Sequence, residues 1–124
     1  MNATLWTVAS ILSLMVLASG IAKLARSRQR LIEGGYAWAE DFSDPAVKNI
    51  GLLEVLGGLG LVLPGLFDVA TVLVPVAGTG LATLMLAAAA THLRRGETKE
   101  AVTPLVLAAI AGFVTFMRFG TYGL

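Results

Sequence analysis

The sequence contains no cysteine, a single histidine and few charged residues. The absence of cysteine excludes disulfides, thiolate metal sites, iron–sulfur clusters and a thiol redox relay within the chain. A single histidine, His92, excludes a pair of imidazole ligands for a haem. The charges nearly cancel, with a formal net charge of +1, so nothing indicates nucleic acid as a partner. We therefore predict no resident metal or cofactor, and we favour a function other than catalysis.

Apolar residues dominate what is present. Hydrophobic residues make up 56% of the chain and charged residues 14%, whereas a globular domain is usually about half apolar and a quarter charged. Four long apolar stretches lie at about 3–25, 46–64, 69–93 and 101–118. At about 1.5 Å per residue, each is long enough to cross most of a hydrocarbon core about 30 Å thick. We predict an all-α, four-transmembrane-helix bundle in which residues 1–124 form a single membrane domain.

Three features refine these spans. No lysine or arginine precedes the first stretch, which favours a membrane anchor over a secretory signal peptide. The pair Pro64-Gly65 is expected to end the second span, because this dipeptide marks turns. Pro75 is expected to kink the third span in its first half.

Residues 27–44 form the one long stretch between two spans. This interfacial loop mixes Tyr36, Trp38 and Phe42 with charged residues, which is typical of a segment at the membrane surface. Two interpretations remain open from the sequence, an anchoring loop and a lid over a pocket.

Basic residues are distributed unevenly along the chain. Eight of the nine lysines and arginines lie in or beside the loops that join spans one to two and three to four, and only Arg118 lies elsewhere. By the positive-inside rule, both basic loops are cytoplasmic and both termini lie outside. We predict a multi-pass protein of the inner (plasma) membrane of a bacterial cell.

Glu54 is the acidic residue that lies well inside a predicted span. A carboxylate in the middle of a membrane helix costs roughly 2.5–3.5 kcal/mol on insertion scales, so Glu54 should face the bundle rather than lipid. Gly51, Gly57 and Gly58 fall on approximately the same helical face, where small residues let another helix approach closely. Glu54 is thus expected at a tight helix contact or beside a small cavity.

Lys23 and His92 are expected at the same depth as Glu54, because each ends a span on the basic side. They are the candidate partners of Glu54 and, with it, the candidate ligand-binding residues. Simpler roles remain open for all three: Glu54 as a helix-pairing group, Lys23 as a snorkelling anchor, and His92 as a boundary residue. Arg118 should lie at the opposite end, near the helix C-terminus whose dipole favours a cation.

Four parts of the chain together resemble the DoxX-like family of small bacterial membrane proteins. They are Ala22-Lys23-Leu24, the stretch from Ile50 to Pro64, the stretch from Leu86 to Glu97, and Phe116-Met117-Arg118. The resemblance covers essentially the whole chain and implies a four-helix membrane bundle. Relatives that gave the family its name are associated with quinol oxidase and thiosulfate:quinone oxidoreduction, and distantly similar eukaryotic bundles bind sterol-like ligands through intramembrane acids.

The resemblance implies a hydrophobic ligand, a quinone or a lipid. Glu54 matches the acidic position of the second span, but the chain has no second intramembrane acid, which argues against isomerase chemistry of the sterol type. We predict a membrane module that binds a hydrophobic small molecule near Glu54, with Lys23 and His92 orienting its head group. It would act in respiratory or oxidative-stress assemblies with membrane or peripheral partner proteins, or as a homo-oligomer. The alternatives are a small proton-coupled exporter using Glu54 and a purely structural scaffold.

Overall fold

The computed structural model of the protein describes residues 2–120 and 122–123, which form helices and turns without a strand. The elements are α1 (Asn2–Ala25), α2 (Arg28–Glu33), a 3-10 helix (Ala37–Asp41), α3 (Asp44–Phe67), α4 (Leu73–Arg94) and α5 (Val102–Phe119). Helices α1, α3, α4 and α5 are long and apolar enough to cross a membrane. The predicted fold class, an all-α bundle of four transmembrane helices, is confirmed.

The outer surface of these four helices is apolar. Leu14, Leu66 and Phe116 are 69%, 62% and 76% exposed, and many other large hydrophobic side chains are exposed with them. On a soluble protein, a continuous apolar surface of this kind would promote aggregation. In a bilayer it contacts lipid, while each helix satisfies its own backbone hydrogen bonds. The outer surface therefore fits hydrocarbon rather than water.

The ends of α3 and α4 differ from the sequence-based expectation. Pro64 lies inside α3, which continues past it, so the expected end at Pro64-Gly65 is wrong. In the last turn a proline removes only one helical hydrogen bond, and α3 ends instead where Asp68 adopts a left-handed conformation with φ 53° and donates its N–H to the Pro64 carbonyl. Because α4 begins only at Leu73, Pro75 lies in its first turn, where no backbone N–H is needed. The expected kink at Pro75 therefore loses its physical cause.

The four long helices pack as two pairs. Helix α1 packs along α3 and α4 along α5, contacts between α3 and α4 join the pairs, and α1 touches α5 only sparsely. Buried apolar side chains from all four helices form one core, composed of Ala9, Leu12, Val16, Leu61, Leu81, Met85, Ala108, Ala111 and Val114. Between α1 and α3, the Ser13 hydroxyl donates to the Gly58 carbonyl at 2.7 Å. In lipid, close packing and such hydrogen bonds hold helices together.

Residues 27–44, here called the covering segment, fold across one end of the bundle. Leu31 and Ala39 are fully buried in a small second core under this segment. The Nε atom of Arg28 donates to the carbonyls of Ala39 and Phe42 at 3.0 and 2.7 Å. The segment is therefore a folded cap with its own packing and internal hydrogen bonds.

Candidate functional site

A buried ion pair joins the first and third helices. The Nζ atom of Lys23 lies 2.6 Å from Oε1 of Glu54, and the two side chains are only 6% and 4% exposed. Lys23 also donates to the Ser19 hydroxyl, one helical turn earlier on α1, at 2.5 Å. Removing either charge from water costs several kcal/mol, and leaving one of them unpaired would keep that cost without compensation. Glu54 therefore has a fixed positive partner from its own chain.

Two glycines let this pair form. An ideal Cβ on Gly20 would lie 2.6 Å from the Gly51 carbonyl oxygen, and one on Gly51 would lie 2.8 Å from Cβ of Lys23. Both distances are shorter than real Cβ contacts, so α1 and α3 approach each other in a way that only glycine allows. The close contact expected around Gly51 is thus present, and Glu54 lies one turn further along the same helix.

Lys48 fixes the end of α1 against α3. Its Nζ atom donates to the carbonyls of Lys23 at 2.7 Å and of Leu24 at 3.3 Å, and also to the carbonyl of Arg26. The last carbonyls of a helix have no partner within the helix and carry its negative dipole end, which a cation stabilises. Lys48 therefore does more than add to the basic charge of the loop, because it also positions the backbone of Lys23.

A cavity of about 540 Å³ lies beside the ion pair. Its walls are mostly apolar and come from all four long helices and the covering segment. The polar and charged side chains in its walls are Ser19, Lys23, Glu54, Thr91, His92, Glu100 and Thr103. Small-molecule sites in proteins typically have volumes of about 300–1,000 Å³, with mainly apolar walls and a few convergent polar groups. The cavity has both properties.

Three aromatic residues of the covering segment, Tyr36, Trp38 and Phe42, line the cavity. The ring centroids of Tyr36 and Trp38 lie 6.2 Å apart and those of Trp38 and Phe42 5.6 Å apart, both in edge-to-face arrangements. The Lys23 ammonium lies 5.4 and 5.5 Å from the Tyr36 and Trp38 ring centroids, within cation–π range. Of the two interpretations of this segment, the geometry favours a lid over a pocket.

An ionic network ties the end of α4 to the covering segment. Nδ1 of His92 lies 2.8 Å from Oε1 of Glu97, and Nε of Arg95 donates to Oε2 of Glu97 at 3.2 Å. The same guanidinium reaches across to Asp41 at 3.0 Å and to Glu40 at 3.3 Å. The hydrogen bond from His92, helped by the charge of Arg95, holds the pKa of Glu97 below its ordinary value. Hydrogen bonds to Asp41 and Glu97 raise the pKa of Arg95.

Glu54, Lys23 and His92, the three residues that the sequence singles out, all line this one cavity. Lys23 contacts Glu54 as expected, whereas His92 pairs with Glu97 rather than with Glu54. Sequence reasoning missed the roles of Glu97 and Arg95, which read as ordinary loop charges. The short spacing between His92 and Glu97 could have indicated that they are in contact. That indication is weak from sequence alone, because Glu97 lies beyond the end of α4.

No group of three His, Asp or Glu side chains suited to a metal ion occurs within residues 2–120 and 122–123. The cavity instead offers one ammonium, carboxylates, hydroxyls and an imidazole beside apolar walls. These groups can donate and accept hydrogen bonds to a neutral molecule whose remaining surface contacts the apolar wall.

Four helices that are long and apolar enough to cross a membrane enclose a cavity, which defines this chain as a small multi-pass integral membrane protein. Comparison with family models places it more narrowly. The chain belongs to the DoxX-like family, whose model matches residues 7–114, and the predicted resemblance is confirmed. The matched range contains every residue that lines the cavity. No curated protein and no solved structure gives a significant match.

Proposed function

We propose that the protein binds a hydrophobic small molecule, a quinone or a lipid, in the cavity beside Glu54. The observation that carries this proposal is the cavity itself, about 540 Å³ of mostly apolar space with the buried Lys23–Glu54 pair in its wall. A lipid-soluble molecule loses little by leaving the bilayer for apolar walls, so its polar head group decides where it binds. Lys23, Glu54 and His92 are the groups available to orient that head group.

The charges around the cavity favour a neutral head group. Lys23 and Glu54 are 2.6 Å apart and cancel each other. A ligand therefore meets strong local dipoles without a net charge from this pair. A quinone carbonyl or the ester or hydroxyl of a lipid can use such dipoles, whereas an ionic head group would need a counter-charge of its own.

The same geometry weighs against the cation exporter. In that mechanism an unpaired carboxylate alternates between a proton and a cationic substrate, but the Lys23 ammonium already lies against Glu54. Lys23 also lies near the faces of Tyr36 and Trp38, which would otherwise attract a cation. A cationic substrate would therefore meet a positive charge at the carboxylate it needs.

The distribution of basic residues supports a proposed orientation. Lys48 and Arg95 belong to the covered end of the bundle, together with six of the other seven lysines and arginines. We place the protein in the inner membrane of a bacterial cell. By the positive-inside rule, the covered end then faces the cytoplasm and both termini lie outside. The respiratory or oxidative-stress setting, with partner proteins, rests on the family resemblance alone and stays a prediction.

The test is mass spectrometry of the organic extract from purified protein, normalised to protein amount. Ala88 lines the cavity, whereas Ala90 on the same helix is exposed and lies outside it. We expect a specific quinone or lipid to be enriched in the wild type and in Ala90→Leu, but depleted in Ala88→Leu, because the larger side chain takes up part of the cavity.

A double variant separates a ligand role from a scaffold role. The double variant Lys23→Met/Glu54→Gln removes both charges together and avoids an unpaired buried ion. A folded double variant that no longer retains the molecule would support the ligand role of the pair. Extracts containing only bulk lipid in every protein, wild type included, would refute the proposal and favour the scaffold.

A further inference from the structure

The hydrogen bond between His92 and Glu97 determines which nitrogen of the imidazole carries the proton. Nδ1 of His92 lies 2.8 Å from Oε1 of Glu97. The Arg95 guanidinium binds the other carboxylate oxygen at 3.2 Å, and the lowered pKa of Glu97 keeps this group ionised near neutral pH. An ionised carboxylate can only accept hydrogen bonds. The proton must therefore lie on Nδ1 of His92.

When the ring is neutral, a proton on Nδ1 leaves Nε2 as the acceptor, whereas in the imidazolium both nitrogens donate. Among the described residues, the hydrogen bond of this ring goes through Nδ1 alone. The His92 side chain is only 17% exposed and lines the cavity. The nitrogen that Glu97 leaves free is therefore the one available to a molecule inside the cavity. Carboxylate partners of this kind commonly fix the tautomer of a functional histidine.

We propose, as a step that rests on the proposed function, that Nε2 of His92 accepts a hydrogen bond from a ligand hydroxyl. The ligand class is then a lipid-soluble ring that carries a hydroxyl group, such as a phenol or a hydroquinone, rather than a fully oxidised or alkylated ring. Glu97 is a positioning residue, because it acts on the ligand only through the imidazole.

Two further contacts support this ligand class. Tyr36, Trp38 and Phe42 line the cavity with aromatic side chains, against which a further ring can pack. At the other polar wall, the Lys23 ammonium already donates to Ser19 and pairs with Glu54. An anionic head group finds no free cation there, and its charge would be repelled by the lone pair of Nε2.

The presence of a single histidine makes the tautomer directly measurable. Protein labelled with ¹⁵N-histidine gives the two ring-nitrogen signals of His92 alone. We expect a protonated Nδ1 and an unprotonated Nε2 in the wild type, and loss of this fixed tautomer in Glu97→Gln, because an amide can donate as readily as it accepts. Glu33→Gln is the matched control, since Glu33 is an exposed carboxylate of the covering segment that bonds to Gln29.

Two probes then test the ligand class, namely decylhydroquinone, kept reduced under anaerobic conditions, and its dimethyl ether. Binding is followed by the fluorescence of Trp38 in a Trp6→Phe background and by the Nε2 signal. We expect the hydroquinone to shift the Nε2 signal and to bind about tenfold tighter than the ether, which corresponds to one hydrogen bond. Glu97→Gln should abolish this difference, and Glu33→Gln should keep it.

The contrary outcomes separate the two proposals. Equal binding of both probes with an unmoved Nε2 signal would overturn the hydroxyl inference and leave the binding cavity intact. A fixed tautomer with no response of Trp38 to either probe would refute a quinoid ligand, and the inference with it. A wild-type tautomer protonated on Nε2 would overturn the inference at its first step.

Discussion

Lys23 at one end of the bundle and Arg118 at the other are both only 5% exposed, yet their surroundings differ. Lys23 pairs with a carboxylate and lines the cavity. Arg118 donates from Nη1 to Oδ1 of Asn2 at 2.6 Å and to the carbonyl of Tyr122 at 2.9 Å, and lies 5.8 Å from the centroid of Trp6. Its partners among the described residues are neutral, and Arg118 does not line the cavity beside Lys23.

The comparison shows that a buried cation in a membrane helix does not by itself mark a site. Both cations are held by polar partners, as burial requires. What separates the two cations is that Lys23 lines the cavity of about 540 Å³ under the covering segment, whereas Arg118 does not line the second cavity, of about 450 Å³, at its own end of α5. Arg118 on α5 links the last helix to the first, because it donates to the side chain of Asn2 at the start of α1.

The largest effect is expected from breaking the buried ion pair. Glu54→Leu leaves the Lys23 ammonium buried without its counter-charge and should lower the free energy of unfolding by about 3–5 kcal/mol. The double variant Lys23→Met/Glu54→Leu should regain most of this loss, because two apolar groups replace both charges. Denaturant unfolding in mixed micelles measures both. A double variant no more stable than Glu54→Leu would contradict an ion pair as the stabilising element.

A smaller effect is expected from separating the helices beside the pair. Gly20→Ala places a methyl group 2.6 Å from the Gly51 carbonyl oxygen, and overpacking of this kind costs about 1–3 kcal/mol. Gly80→Ala on α4 is the matched control, since nothing lies within 4 Å of its added methyl. That control should change the unfolding free energy by no more than about 1 kcal/mol, in the stabilising direction. Equal effects at both positions would argue that helix propensity, rather than close approach, decides.

At the opposite end, Arg118→Gln should lower the unfolding free energy by only about 1–2 kcal/mol, the cost of weakening hydrogen bonds to neutral partners. Nε of Arg118 is buried without a hydrogen-bond partner among the described residues, which further limits the loss. The organic extract of this variant should match the wild type. A changed extract would show that Arg118 influences the cavity at the opposite end of the bundle.

The sequence predicts the four spans because a bilayer imposes a simple requirement, about 20 apolar residues without unpaired backbone groups. The same physics predicts that Glu54 faces inward and seeks a cation, since an unpaired carboxylate in lipid is costly. Lys23 is a reachable partner because both residues lie on the basic side of the bundle. These expectations depend on local composition, which the sequence contains.

What the sequence could not predict depends on contacts between distant residues. The turn at Asp68, which delays the start of α4, uses a left-handed backbone conformation that composition does not specify. The salt bridge of Arg95 to Asp41 joins two loops far apart in the chain. Trp38 read equally well as an interfacial anchor, because an aromatic side chain suits a membrane surface and a pocket wall alike.

The smallest expected effect concerns how the unfolding free energy depends on pH. This dependence should also differ most clearly between the two ends of the bundle. The folded pKa of Glu97 is lowered by His92 and Arg95, so its contacts stabilise the fold fully above its unfolded pKa. This contribution is lost as the pH falls through the folded value. The difference in unfolding free energy between the wild type and Glu97→Gln should therefore be largest at neutral pH and should close under acidic conditions.

Comparison with Glu97→Gln removes the titration of the acids outside the network, because those acids titrate alike in both proteins, whereas Asp41 and Glu40 share Arg95 with Glu97. The matched measurement at the other end uses Arg118→Gln. Among the described residues no carboxylate contacts Arg118, so its difference from the wild type should stay constant over the same pH range. If the Glu97→Gln difference were also constant, the ionised form of Glu97 would add nothing to the stability of the covered end. The covering segment would then be held by the packing of Leu31, the hydrogen bonds of Arg28 and the salt bridges of Arg95 to Asp41 and Glu40.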